Sequence, residues 1–257
     1  MSWTRYVAIG DSTTEGIDDP DGAGGYRGWA DRLAMHIAAA QDGLEYANLA
    51  VRGRTTARIR DEQIPAALSL EPDLVTLVSG VNDLLRPTFD IGSLGRDIEA
   101  MQRALTASGA TVVTFTMPDM GRVLPIGRLL RPRLDALNDA VRSVSRGTGA
   151  LLLDLAAHPV AGDPRLWSED RLHANAEGHR RIAAALAHRL GVEGSDDSWS
   201  RDLEDAPRPR RLERVRAELA WTRHHLGPWV GRRVRGASSG DDVVAKRPLP
   251  LPVEPDR

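Results

Sequence analysis

The chain has 257 residues, 41% hydrophobic and 27% charged, which is ordinary for a soluble globular protein and allows one domain plus an appendage, or two small domains. Its 34 basic residues against 36 acidic ones give a formal charge of −2, so a wholesale nucleic-acid binder is excluded at the level of net charge. It holds no cysteine, and every basic residue but Lys246 is arginine; that excludes a disulfide framework, a thiol nucleophile, a cysteine-ligated metal and, away from that one lysine, Schiff-base chemistry.

Residues 6–10 (YVAIG) form a short apolar run. It is shorter than the roughly 7–15 residues of a secretory signal core and reads as a buried strand. No stretch approaches the roughly 20 apolar residues of a membrane span, and a cytoplasmic location is expected. Residues 28–40 follow as a helix, with Leu33 and Ile37 on one face. A second strand is expected at 44–51, a helix at 55–68 and a third strand at 74–78. The helix at 93–108 carries Leu94, Ile98, Met101 and Leu105 at three- and four-residue spacing, one apolar stripe. A fourth strand at 111–115, a helix at 129–146, a fifth strand at 151–155 and a helix at 175–190 complete the alternation. Strands that are continuously apolar and alternate with helices predict a parallel sheet in a three-layer α/β/α sandwich.

The alternation stops near Gly191, and residues 1–191 are expected to form one domain. Residues 192–207 are acidic and rich in turn formers, the composition of a linker. Residues 208–226 read as a helix with Leu212, Val215, Leu219 and Leu226 on one side. Gly227 and Pro228 end it. The segment 208–235 holds nine Arg and two Glu. It is expected to pack its leucine stripe on the preceding domain; the alternative is an anionic membrane surface, with Trp221 and Trp229 at the interface. The tail 236–257 is proline-rich and expected to be poorly ordered. All the motifs below precede residue 191, so the extension is expected to support stability rather than turnover.

In open parallel sheets, ligands bind beyond the carboxyl ends of the strands. The first strand is followed by Gly10-Asp11-Ser12 with Gly16, the second by Arg52-Gly53-Arg54, the third by Gly80-Val81-Asn82-Asp83 and the fifth, after a longer connection, by Asp170-Arg171-Leu172-His173. Ser12 suits a nucleophile, but a serine hydroxyl is inert at neutral pH without a base. His173 suits that base. Asp170 can accept the other imidazole N–H and so fix the tautomer. An oxyanion needs donors aimed at it, and the backbone N–H groups of Ser12 and Gly53 and the amide of Asn82 suit that task. Each residue alone has a plainer reading. Ser12 and Asn82-Asp83 could cap helices, Gly53 could be a turn glycine, and Asp170 and His173 could sit in a solvated turn. Asp154, at the end of the fifth strand, competes with Asp170 for the histidine, and Asp11 reads as a ligand of local backbone N–H groups.

Together the four blocks resemble the SGNH hydrolases, also called the GDSL esterase/lipase family. The blocks come in the family's order. Thr13 stands where leucine is common, and Ala174 where proline is frequent. Within the family the chain is similar to cytoplasmic actinobacterial members, which share the stretch from Gly25 to Ala30 and a C-terminal extension. The resemblance implies a flavodoxin-like sheet of five parallel strands in the order 2-1-3-4-5. It also implies a Ser–His–Asp hydrolase that uses Ser12, His173 and Asp170 without metal or organic cofactor.

The expected activity is a serine esterase acting on small or medium acyl esters, with no nucleic-acid partner and an oligomeric state left open. An acyltransferase using the same triad is the first alternative, and a non-enzymatic flavodoxin-like binding module the second. The sequence has no HExxH and no cluster of oxygen ligands, so metal catalysis is not expected. The apolar loop 117–130 suggests a wall for an acyl chain; the plainer reading is that Leu124, Ile126 and Leu129 only pack beneath it. Met117 and Met120 on that side, Leu84 opposite and Tyr26 at the mouth are the lining candidates. His36, His179 and His188 fall within helical patterns and read as surface or packing residues.

Overall fold

A computed structural model describes residues 2–119, 121, 123–124, 127–204, 219–226 and 240–254. Strands β1 (Arg5–Ile9), β2 (Glu45–Asn48), β3 (Leu74–Leu77), β4 (Thr111–Phe115) and β5 (Leu151–Leu153) pair with one another in parallel. With a sixth strand, β6 (Arg247–Pro252), the sheet order is β5-β4-β3-β1-β2-β6. The order 2-1-3-4-5 is therefore present, and the sheet has six strands rather than five. Val7 lies opposite Ala47 on one side and Val75 on the other, and the central strands are buried throughout, as their unbroken apolar runs require.

Helices α2 (Gly28–Ala40) and α8 (Ala176–Leu190) pack on each other, as do α6 (Ile91–Ala107) and α7 (Gly127–Thr148). The short α1 (Ser12–Glu15) and α5 (Val81–Leu84) follow β1 and β3. Among the described residues no helix is long and apolar enough to cross a membrane.

The helix expected at 55–68 is broken into α3 (Thr56–Arg58), a π-helical turn over Ile59–Gln63 and α4 (Ile64–Ser69). Pro65 has no N–H to continue the α-helical ladder and sits in the first turn of α4. The wider turn has a use. It carries Gln63 into the interior, where its amide accepts from Gly10 N–H at 2.8 Å and donates to Gly10 C=O at 2.9 Å. The end of β1 is thereby held two residues before Ser12.

The sixth strand, β6 (Arg247–Pro252), runs antiparallel to β2 and comes from the tail expected to be poorly ordered. Proline content suggested disorder, but the prolines alternate with other residues, so the missing N–H groups can lie on the open edge. Arg247 donates to Tyr46 C=O at 2.8 Å, Val253 N–H bonds Leu44 C=O at 2.8 Å, and Lys246 Nζ lies 2.9 Å from Asp31. The acidic stretch 192–207 also packs, over the part described. Trp199 is buried with its ring centroid 4.5 Å from that of His158, and Arg181 donates to Trp199 C=O at 3.1 Å.

Candidate active site

β1 ends at Ile9, and Gly10 turns the chain out of the sheet with φ +155°. A Cβ on Gly10 would lie 2.7 Å from Val78 C=O and 2.4 Å from Thr14 Oγ1, so only glycine fits between these strands. Asp11 then caps α1, its carboxylate accepting Thr13 N–H at 3.0 Å. This places Ser12 at the first helical position, where backbone N–H groups have no intrahelical acceptor. Gly80 makes the corresponding turn after β3 at φ +109°, and a Cβ there would strike Leu137 at 2.6 Å.

Ser12 and His173, 161 positions apart, meet with Oγ 2.8 Å from Nε2. His173 Nδ1 lies 2.6 Å from Asp170 Oδ2. The other Asp170 oxygen accepts the backbone N–H groups of Leu172 and His173 at 2.9 and 3.0 Å and the Ser168 hydroxyl at 2.6 Å. A carboxylate with that many donors is held in one orientation. Asp154 is elsewhere, bound by Thr116 Oγ1 at 2.7 Å and by the Arg142 guanidinium, so it does not serve His173.

Burial pulls the His173 pKa down, but the Asp170 hydrogen bond and the charges of Asp170, Asp18 and Asp11 outweigh it, and the net value is raised above the ordinary imidazole range. Burial pushes Asp170 up; its hydrogen bond to His173, the histidine's charge and the Ser168 and backbone donors hold it far below the usual carboxylate range. Asp11 is buried, and that pushes it up to about 6 against the Thr13, His173 and Asn82 contacts.

Asn82 stands beside the nucleophile's cap. Its Nδ2 donates to Asp11 Oδ2 at 3.0 Å and to Arg54 C=O at 3.1 Å. Gly53 is in the left-handed region, φ +74°, on a loop fixed by residues that sequence reasoning missed. Buried Glu15 accepts Arg52 N–H at 2.8 Å and pairs with its guanidinium. Asp83 accepts Thr56 N–H and its hydroxyl, both at 2.9 Å. Asp18 is a further omission: at φ +69° its carboxylate approaches His173 Nδ1 to 3.8 Å. Glu15 and Asp83 lie within the motif blocks, which is the one signal they offered. His179 packs, as read. Its Nδ1 accepts Trp29 N–H at 3.1 Å, its Nε2 meets Ile17 C=O at 3.0 Å, and burial pushes its pKa down to about 4.

An apolar cavity of about 60 Å³ is lined among others by Val81, Phe115, Met117 and Trp199, and by Thr13, Leu172 and Ala174, the chain neighbours of Ser12 and His173. Met117 is among the residues that line it. Leu84 and Tyr26 are not: Leu84 is buried in the core, and Tyr26 lies beneath the Arg52 guanidinium, 5.4 Å from its ring centroid. Met120 and Ile126 fall outside the described residues.

The model of the GDSL-like Lipase/Acylhydrolase family matches residues 8–181, which takes in Ser12, Gly53, Asn82, Asp170 and His173. The chain belongs to this family. It is therefore a hydrolase of acyl esters by class. The fold is shared with solved structures at low sequence identity. A psychrotrophic esterase, EstA from Pseudoalteromonas sp., superposes with a TM-score of 0.58 at 20% identity, over 73% of this chain and 97% of its own. The acetylxylan esterase Axe2 from Geobacillus stearothermophilus superposes with a TM-score of 0.64 at 18% identity, over 79% and 98%. No curated protein sequence matches the chain.

Proposed function

We propose that this hydrolase cleaves small acyl esters with Ser12 as nucleophile, His173 as general base and Asp170 as the carboxylate that orients the imidazole. The single observation that carries the reading is the continuous line from Ser12 Oγ through both ring nitrogens of His173 to Asp170. His173 Nε2 takes the hydroxyl proton as Oγ attacks the ester carbonyl, and Asp170 stabilises the imidazolium so formed. The oxyanion is received by the N–H groups of Ser12 and Gly53 and by the Asn82 amide, which gives up one of its two bonds, to Asp11 or to Arg54 C=O, to do so. On collapse the imidazolium returns its proton to the leaving alcohol. Water, deprotonated by the same histidine, then releases the acid from the acyl-serine.

Size points to the substrate. The cavity is small, about 60 Å³, and apolar. That suits a short acyl chain against an apolar wall. A fluorophosphonate should label Ser12, located by peptide mass, and a series of p-nitrophenyl esters should peak in kcat/KM at the short end. A maximum at long chains would remove the cavity from the acyl site, and labelling at another serine would overturn the nucleophile.

Asn82→Ala should lower kcat by about 10²–10³, the usual loss for one oxyanion donor, with KM little changed. A change in KM alone would make Asn82 a residue that merely ties Asp11 to Arg54. Chelation should leave turnover unaltered. Asp18, Asp170 and His173 bring ligand-type atoms within 4.8 Å of one another, but both imidazole nitrogens are already engaged, one by Asp170 and one by Ser12. Loss of turnover on EDTA treatment, restored by a divalent ion, would show otherwise.

The pH dependence has a definite sign. His173 acts as a base only when neutral, and its raised pKa keeps it protonated to higher pH than a free imidazole of about 6.5. kcat/KM should therefore rise with pH through a midpoint above that value. Below about 6 the protonation of Asp11 removes an acceptor from Asn82, so the acid limb should become steeper than one proton. A midpoint below 6 in a kcat/KM profile would contradict the arrangement.

A further inference from the structure

The family match ends at residue 181, yet the chain beyond it touches two of the loops just described. Trp221 is buried on the turn from Ser168 to His173, and its Nε1–H donates to Asp170 C=O at 3.1 Å. The Arg171 guanidinium lies over the indole, 5.0 Å from the ring centroid. Arg171 itself has φ +62°, a conformation that a non-glycine residue keeps only where its surroundings impose it.

Among the described residues at 219–224, Trp221 is the one that is buried. Leu219, expected on the packed face, is 67% exposed, and Ala220, Thr222, Arg223 and His224 are exposed as well. Leu212 and Val215 lie outside the described residues, as does Trp229. Trp221 is buried here and so is not available to a bilayer surface. Farther on, Gly240 is buried against the Arg52–Gly53 loop. Its C=O accepts from Arg54 at 3.1 Å, and a Cβ on it would come within 1.9 Å of Arg52 C=O.

We propose that the C-terminal extension is a strap that positions the catalytic loops. Trp221 holds the Asp170–Arg171 peptide so that the Asp170 carboxylate stays on His173 Nδ1, and Gly240 seats the loop that carries the Gly53 N–H. The proposal rests on the reading of Ser12, His173 and Asp170 given above. The physical argument is that Asp170 and His173 are three residues apart on one tight turn, so a rotation of the peptide between them tilts both side chains. A hydrogen bond from a buried indole resists that rotation, and a stacked arginine closes the turn over it. Among the described residues, Asp170, Asp18, Asp11 and Ser12 are the polar groups facing the imidazole, and Trp221 bonds the backbone of the first of them.

The test uses the full chain. Trp221→Phe keeps an aromatic ring and removes the N–H donor together with the five-membered ring; Trp221→Ala removes the whole indole. Leu219→Ala, on the exposed side of the same segment, is the control. Trp221→Phe should lower kcat about tenfold at unchanged KM. An NMR titration of the His173 ring should show its pKa falling toward the free value of about 6.5 as Asp170 loosens. Leu219→Ala should change neither. Gly240→Ala should lower kcat without moving the His173 titration, because it acts on the other loop. A Trp221→Phe protein that melts at lower temperature but keeps both kcat and the His173 titration overturns the positioning role, and an unchanged kcat in Gly240→Ala overturns the hold on the oxyanion loop. Should Trp221→Ala not fold, Trp221→Phe and Gly240→Ala carry the decision. Failure of the triad itself would be seen separately, as turnover that survives Ser12→Ala, while the His173 titration still reports on Trp221.

Discussion

Ester turnover will fall by about five to six orders of magnitude in Ser12→Ala, to the level that binding and the oxyanion donors sustain alone. The hydroxyl is the atom His173 Nε2 faces at 2.8 Å, and alanine leaves that nitrogen without a proton to take. No acyl-enzyme can form. The substitution is otherwise mild. Asp11, not Ser12, supplies the side-chain cap of α1, so circular dichroism should show an unaltered fold and melting curve. His173→Ala should cost about as much as Ser12→Ala, and the double variant little more, because nucleophile and base act as a unit. Turnover of p-nitrophenyl acetate within a few-fold of the parent would place the reacting group elsewhere.

Asp170→Asn is the second large effect, about four orders of magnitude in kcat. Asparagine can still accept Leu172 N–H, His173 N–H and the Ser168 hydroxyl through one oxygen, as Asp170 Oδ1 does. The turn should survive. What is lost is the charge and the second acceptor: an amide nitrogen facing His173 Nδ1 donates where an acceptor is needed. The imidazole then presents a proton rather than a lone pair to Ser12. Asp18 makes the result more informative, since its carboxylate is 3.8 Å from the same nitrogen. If Asp170→Asn kept near-parental kcat and adding Asp18→Asn then abolished it, Asp18 would be the histidine's partner. With Asp170 in that role, Asp18→Asn alone should have a small effect, confined to the acid limb of the pH profile.

The parallel strands and the catalytic-type residues were legible because each is announced locally. A strand buried on both faces has to be a continuous apolar run, so YVAI, LVTL and TVVTF mark themselves. The loops after them carry Gly10, Ser12, Gly53, Asn82 and His173 because chain reversal needs glycine and the chemistry needs hydroxyl, amide and imidazole. Boundaries moved only at the ends, and the π turn at Ile59–Gln63 escaped notice because hydrophobic spacing does not distinguish it from an α-helix.

The tertiary structure alone decided what each residue faces. Glu15 reads as a first-turn acid until Arg52, 37 positions away, closes on it. Asp18 reads as one of several loop aspartates until His173 arrives beside it. The proline-rich tail reads as disorder because composition counts missing donors but not the side on which they fall; the open edge of β6, the outermost strand, tolerates them. Trp221 reads as one more apolar residue on a helix with leucines, and only the turn 51 positions earlier gives its N–H an acceptor. Local sequence determines backbone propensity and the inventory of chemical groups. A hydrogen bond or ion pair across tens of residues depends on where the strands and helices come to rest, and no periodicity in this chain encodes that.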